Sequence, residues 1–335
     1  MSHHLIDISA PSSSITCKRG QLICREDNGR ERSLPMEDIG AILINSFSAQ
    51  IHNRVFTTAA QCGTVIVFCE NFRPVALLLP ANRSTETMLT RAQVGLTDAT
   101  RRALWHKTVT AKCFNQAGLA QTIAPSASQT QRLLRTAGAP RTAKESACAR
   151  LYWTMLSRHL GLERFSRTRQ EGGLNDLLNY GYTVLLARML QKMLGVGIDP
   201  TFGIGHAVRE RATPLAYDLM EPFRVAVDAR VVAWVKGSDA SALSVTKEYK
   251  QWVQGFLTIE APHEKKRLRV ELAMECVLHG FREALAAKRP ALYKPWMPGN
   301  TKWDGFSWGL TCRCSPTNKE NGQPVSGTSC SRTGS

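Results

Sequence analysis

The sequence predicts an α+β protein in two domains, a small N-terminal β-rich domain followed by a large all-α one. Three observations predict it. Up to about residue 80 the apolar residues alternate or run in short blocks closed by turn residues, which is strand grammar. From about residue 85 they recur at three and four, which is helix grammar. And 335 residues with 43% hydrophobic content are enough for one large or two modest domains.

Taken in order, LIDIS (Leu5 to Ser9) alternates as a short strand. SITCKRGQLICRE offers two strands around Arg19-Gly20, a hairpin signal. Ala41 to Ile44 and Thr64 to Cys69 are continuous apolar runs, expected as buried strands, with a short helix over 48–60 between them. Val75 to Leu79 is a further strand, closed by Pro80. The β domain is thus 1–82, with the linker in PANRST (80–85). Helices are predicted near 86–96, 99–122, 127–136, 143–160, 173–194, 215–236, 243–258 and 264–287, within a helical domain of 86–310. Gly181 inside the 173–194 helix implies close packing there, since glycine costs about 1 kcal/mol against alanine in a helix. Pro222 must delay or kink the 215–236 helix, because it cannot donate to the carbonyl of Asp218. Residues 290–310 are irregular and aromatic, and 311–335, rich in Ser, Thr, Gly, Asn and Lys, are expected to be disordered.

The formal net charge of +16 points to a polyanionic partner, nucleic acid before an anionic membrane. No apolar run reaches the length of a membrane span, and Met1-Ser-His-His-Leu-Ile does not read as a signal peptide. Ten cysteines show no framework spacing. Cys69 and Cys276 sit in apolar runs and read as reduced core cysteines of a cytosolic protein. Cys312 and Cys314 form a C-x-C pair without a partner pair, poor material for zinc.

The chemistry gathers in IDPTFGIGHAVRERATPLAYDLMEPFR (198–224). His206 follows a Gly-rich turn, and Asp218 and Glu221 stand at i and i+3 on one helix face. One imidazole among carboxylates suits a divalent metal, and mostly oxygen ligands favour Mg²⁺ or Mn²⁺. On spacing alone, a solvated acidic turn explains the pair as well. Arg224 and Asp228, one turn apart, are expected to form a salt bridge.

From Arg132 to Arg169 nine basic residues face two acids, Glu145 and Glu163, which reads as a phosphate-contacting surface or, blandly, a solvated helix face. Glu145 fits a capping box with Thr142; its other reading is a third metal ligand. Asn175 and Asn179 share a helix face and serve either interhelical hydrogen bonds or a ligand. Tyr180 and Tyr182 lie on the same otherwise apolar helix.

HHLIDIS, PMEDIGAILI, KESACARLYW, LNDLLNYGYTVLLARM, GIDPTFGIGH and PLAYDLMEPFR follow one another in an order that resembles the Cas1 family, the metal-dependent integrases of CRISPR adaptation, over about residues 3 to 290. The resemblance implies a β domain followed by a helical catalytic domain, with metal ligands Glu145, His206 and Glu221. Asp218 falls on a further catalytic position that supports the site more than it ligates. Gly172-Gly173 and the tail depart from the family pattern. The implied reaction joins the 3′-hydroxyl of a short DNA fragment, the protospacer, to a phosphodiester of the CRISPR repeat, with Mg²⁺ or Mn²⁺ as cofactor. Arg132, Arg135, Arg141, Arg164, Arg167, Arg169, Asn179 and Tyr180 are the candidates for contact with double-stranded DNA. The implied partners are a second copy in a homodimer, the Cas2 protein bridging two dimers, and an effector nuclease of the same system, in a prokaryotic cytoplasm. Metal-dependent hydrolysis by an endonuclease, or a non-catalytic DNA-binding scaffold, are the rival readings.

Overall fold

The computed structural model describes residues 4–11, 13–25, 29–80, 87–139, 144–162, 165–167, 172–206, 212–237, 243–300, 308 and 310. Strand β1 (His4–Ile8) is followed by β2 (Ser14–Lys18) and β3 (Gln21–Arg25), which pair antiparallel across the two-residue turn Arg19-Gly20, both residues at positive φ. This is the turn that the hairpin signal calls for. β4 (Glu31–Pro35), β5 (Ile39–Ile44), the short β6 (Gln50–Ile51), α1 (Asn53–Gln61), β7 (Val65–Glu70) and β8 (Arg73–Leu78) complete the N-terminal part. Two four-stranded sheets result, ordered β1-β5-β7-β8 and β4-β3-β2-β6. β4 escapes the sequence reading because its ERSLP is mostly polar and exposed. The expected helix over 48–60 begins later, since Gln50-Ile51 pairs with β2 and His52 caps α1.

β5 serves two cores at once. Its period of two sends Ala41 and Leu43 into a large core with the helices, and Ile42 and Ile44 into a smaller one with Ile15, Met36 and Val55. The first sheet is therefore a wall shared by both halves of the chain.

The helices are α2 (Thr87–Val94), α3 (Asp98–Ile123), α4 (Ser128–Gly138), α5 (Lys144–His159), α6 (Leu174–Gly195), α7 (Pro214–Met220), α8 (Arg224–Lys236), α9 (Lys247–Gln254) and α10 (Val270–Ala286). α6 is buried almost all round and packs on β5, β7 and β8 on one side and on α7, α8 and α9 on the others. A Cβ at Gly181 would run into Val227 of α8, so the close packing expected at that glycine is there. Pro222 splits the expected 215–236 helix: α7 stops at Met220, Glu221–Phe223 is a 3₁₀ turn, and α8 starts at Arg224.

Two helix expectations need correction. Residues 264–269 are not helical: β9 (Glu260–His263) and β10 (Lys266–Arg269) form a hairpin, with Glu264 at φ +53, ahead of α10. EKKRLR carries good helix formers, but it exposes nearly every side chain, and Val270 N–H instead closes on the carbonyl of Ile259. Residues 243–246 likewise precede α9, whose cap is Thr246.

The aromatic segment beyond α10 is irregular, as expected, but it is also core. Tyr293, Trp296 and Trp308 are fully buried; Trp296 stacks on Phe223 at 5.0 Å and 4°. This strap lies against α3, where Gly299 meets the backbone of Phe114 and Asn115 too closely for any Cβ. The linker, the Thr142 cap, Cys312, Cys314 and the 311–335 tail lie outside the described residues. Cys69 is buried as expected, whereas Cys276 is exposed on α10. No helix among the described residues is long and apolar enough to cross a membrane.

Candidate active site

The loop before α7 is built around one carboxylate. Asp218 is fully buried and accepts from the backbone N–H groups of Ile204 (2.6 Å), Gly205 (2.8 Å) and His206 (3.0 Å), while His206 Nδ1 lies 2.6 Å from its Oδ1. Such a ring of donors repays the desolvation of a buried anion. The glycines are required by closeness: a Cβ on Gly203 would meet Asp218 and the carbonyl of His206, and one on Gly205 would meet the Trp105 indole. Trp105, on α3, stands edge-on to the imidazole at 5.7 Å. Asp218 is thus saturated by the loop and orients His206. With Nδ1 tied to it, the neutral ring keeps its lone pair on Nε2.

Glu221 sits in the 3₁₀ turn that Pro222 imposes, and Asn115 of α3 fixes that turn by donating to the carbonyls of both Pro222 (2.8 Å) and Trp296 (2.9 Å). Arg224 Nη2 lies 3.1 Å from Glu221 Oε1. Lys112 of α3 lies 2.7 Å from Glu221 Oε2 and 2.9 Å from Oε1 of Glu145, in the first turn of α5. Burial by itself would raise the Glu221 carboxyl, but Arg224 and Lys112 overcome it and hold its pKa at about 2. Burial would likewise discharge Lys112, and Glu221 and Glu145 outweigh it, so the ammonium stays charged.

Glu145 and Glu221, 76 positions apart by their numbers, therefore meet on one cation. His206 is near enough to act on the charge of Glu221. As the side chains stand, no three His, Cys, Asp or Glu among the described residues close into a coordination sphere, and Lys112 lies between the two glutamates. The donor set, two carboxylates and one imidazole whose Nε2 carries the lone pair in the neutral ring, is of the oxygen-rich kind that suits Mg²⁺ or Mn²⁺.

Beside this cluster, and sharing Arg224 with it, runs an open groove of about 710 Å³ lined by Arg73, Arg167, Asn179, Tyr182 and Tyr217 among others. Asn175 and Asn179 each accept one arm of the Arg167 guanidinium (2.8 and 2.9 Å) and so hold it in the groove wall. Arg73 comes from β8, so the β-rich half, which shows no chemistry in its sequence, supplies one wall. The expected Arg224–Asp228 salt bridge does not form. Arg224 turns to Glu221, and Asp228 instead accepts from Tyr152 (2.7 Å) and Tyr182. Burial pushes the Asp228 carboxyl up to about 6, against the pull of the two phenols and of Arg167 and Arg224.

The remaining DNA candidates divide. Arg132 and Arg135 are exposed on α4. Arg141, Arg164 and Arg169 lie outside the described residues. Tyr180 is a correction: it is fully buried, edge-on to Phe72 and Tyr249, because the all-round burial of α6 leaves that face no solvent. Lys112 and Asn115 escape sequence reading altogether, and the Tyr293–Trp296 segment is expected only as irregular and aromatic, without its place in the core. A lysine and an asparagine inside a long helix carry no motif.

Residues 6–258 match the family described as CRISPR associated protein Cas1. The chain is 26% identical over 280 residues to the CRISPR-associated endonuclease Cas1 of Neisseria meningitidis serogroup C, covering 82% of this chain and 90% of that protein. It is 25% identical over 327 residues to the protein of the same description from Korarchaeum cryptofilum, covering 84% and 95%. In fold it is similar to a casposase bound to integration product (TM-score 0.68, 16% identity, 90% of this chain and 94% of that one). It is equally similar to a Cas1 protein from Thermotoga maritima (0.67, 16%, 84% and 97%) and to a chain of a Cas6-RT-Cas1–Cas2 complex (0.68, 13%, 88% and 36%). With the family match running from β1 through α9, across both glutamates, the loop histidine and the groove arginines, the chain belongs to the CRISPR-associated Cas1 family.

Proposed function

We propose that this chain is a metal-dependent DNA integrase that joins the 3′-hydroxyl of a short DNA fragment to a phosphodiester of the CRISPR repeat. The observation that carries the reading is the convergence of Glu145 and Glu221 on a single cation position, beside an oriented His206 and at the end of an arginine-lined groove. Glu145, Glu221 and His206 Nε2 would hold Mg²⁺ or Mn²⁺, which when bound supplies charge neutralisation at the phosphate and a lower pKa for the attacking hydroxyl.

The residues of the chain do the rest. Asp218 keeps the imidazole oriented. Arg224 neutralises the far oxygen of Glu221, and Arg167, held by its two asparagines, offers N–H groups to backbone phosphate. In the reaction the 3′-oxygen bonds to phosphorus and loses its proton. The phosphorus–oxygen bond to the repeat strand breaks, and the departing 3′-oxygen gains a proton. One phosphodiester replaces another, so no ATP is needed, and catalysis is mostly positioning. Phosphate contacts carry no sequence information, so choice of the repeat falls to DNA shape, to other contacts or to partners. A homodimer bridged by Cas2 is the assembly we propose. The likeness to a chain of the Cas6-RT-Cas1–Cas2 complex supports the Cas2 part of it.

The relatives' description as endonucleases favours a second reading, hydrolysis at the same site with water as nucleophile. The test is incubation of the chain, with and without Cas2, with a 3′-hydroxyl fragment, a repeat-bearing plasmid and Mn²⁺. Joined product that disappears when the 3′ ends are blocked establishes integration; cleavage unaffected by blocking establishes hydrolysis instead. Glu145→Ala, His206→Ala and Glu221→Ala are each expected to abolish joining while duplex binding persists, and joining at the wild-type rate by all three would overturn the assignment.

A further inference from the structure

Lys112 belongs to none of the motifs that identify the family, yet it stands where the proposed ion would contend for its ligands. We infer that Lys112 is a tethered cation: it holds the Glu145 and Glu221 carboxylates together while no metal is bound, competes with the divalent ion for them, and must withdraw for the ion to enter. This rests on the metal reading above.

The geometry argues for exchange over coexistence. One ammonium reaches both glutamates, 2.9 Å from Glu145 Oε1 and 2.7 Å from Glu221 Oε2. Magnesium would draw those oxygens to about 2.0–2.1 Å, so the ion and the ammonium need the same space between them. The charges argue likewise. Two carboxylates are balanced by Lys112 and Arg224; a divalent ion added with both in place leaves a surplus of positive charge in a buried pocket, where it is poorly screened.

The scaffold is arranged so that Lys112 can leave alone. Its helix is pinned on either side, by Thr108 hydrogen-bonded to Tyr293 (2.9 Å) and by Asn115 bonded to Pro222 and Trp296. The backbone of Lys112 is therefore fixed and its four-carbon stem is the moving part. Glu221 keeps Arg224 when the ammonium goes, so it stays aimed.

A purely structural ion pair would fit the same distances, and metal affinity separates the two. Mn²⁺ is titrated into wild type, Lys112→Met, Lys112→Gln and Lys112→Arg without DNA, followed by calorimetry and by the loss of the free-ion paramagnetic resonance signal. Thermal unfolding is recorded with and without Mn²⁺. When a competing state is removed the apparent dissociation constant falls by the fraction it occupied. Lys112→Met is expected to bind Mn²⁺ about tenfold tighter than wild type, to unfold at a lower temperature without the ion, and to gain more from it. Lys112→Arg, which keeps the charge, stays near wild type. Should Lys112→Met not fold, Lys112→Gln, which removes the charge but still donates, gives the same reading. Mn²⁺ affinity in the neutral variants equal to or weaker than in a binding-competent wild type overturns the inference and leaves the metal reading standing. Absence of Mn²⁺ binding in every form overturns both.

Discussion

Two buried carboxylates seven positions apart, Glu221 and Asp228, meet opposite fates. Both are nearly sealed from solvent, at 4% and 2% exposure. Glu221 has a lysine and an arginine for partners and is held ionised with a pKa of about 2. Burial lifts Asp228 to about 6, against two tyrosine hydroxyls and the weaker pull of the Arg167 and Arg224 guanidinium groups. Burial is common to both, so the partner decides. The first carboxylate is fit to hold a cation; the second is a packing acceptor that fixes Tyr182, whose ring carries the Arg224 guanidinium at 4.9 Å and that of Arg167 at 5.4 Å.

The largest expected effect would break this contrast at Glu221. Glu221→Gln leaves Lys112 and Arg224 buried beside a neutral amide. Unfolding in denaturant is expected to show a loss of about 3–5 kcal/mol, and strand joining should fall below detection. A folded variant that joins DNA normally would mean the two carboxylates are interchangeable in kind. Asp228→Asn should cost less, about 1–2 kcal/mol, since the amide oxygen can still accept from a tyrosine. Joining should survive in it, and loss of joining with the fold intact would move Asp228 into the catalytic set.

Acidity sharpens the same contrast. The Asp228 carboxyl is raised above its unfolded value of 3.8, so the folded form binds the extra proton. Its contribution is present below that value and is lost as pH rises to about 6. Glu221 is the reverse: its contribution is present above 4.5 and is lost as pH falls to about 2. Measured metal-free, the stability of wild type relative to Asp228→Asn should decline between pH 4 and 6, while that relative to Glu221→Gln should decline as pH drops below 4.5. Parallel pH profiles would show the two environments to be alike. The smallest effect is expected at the groove: Arg167→Ala should weaken DNA binding and lower the salt slope by about 1, and exposed Arg132→Ala should do no more than that. Arg132→Ala losing more than Arg167→Ala would shift the DNA path away from the groove.

Much of this site is readable in the chain. The Gly-rich turn, His206, and the Asp218–Glu221 spacing announce it, Pro222 announces the break that presents Glu221, and the change of apolar period near residue 85 announces the architecture. Other parts are hidden for a physical reason. Arg224 and Asp228 at i,i+4 look like partners because sequence shows only neighbours along a helix; in the fold Arg224 pairs with Glu221, and Asp228 accepts from two phenols of other helices. Lys112 carries no signal of its own in the sequence, because the glutamates it meets come from α5 and the 3₁₀ turn. The β9–β10 hairpin is missed because it lacks the glycine that usually marks such a turn, and Glu264 takes the left-handed conformation instead.

The aromatic strap has a consequence for synthesis. Every proposed ligand precedes Tyr293 and Trp296 in the chain, yet Thr108 and Asn115 each complete their hydrogen bonding with a partner in that late segment, Tyr293 for one and the Trp296 carbonyl for the other. A nascent or truncated chain ending near residue 290 would carry the chemical groups without the clasp that sets their spacing. On the proposed reading, a chain truncated before Tyr293 is expected to join DNA poorly although it carries every proposed ligand, and a joining assay on that truncation checks it.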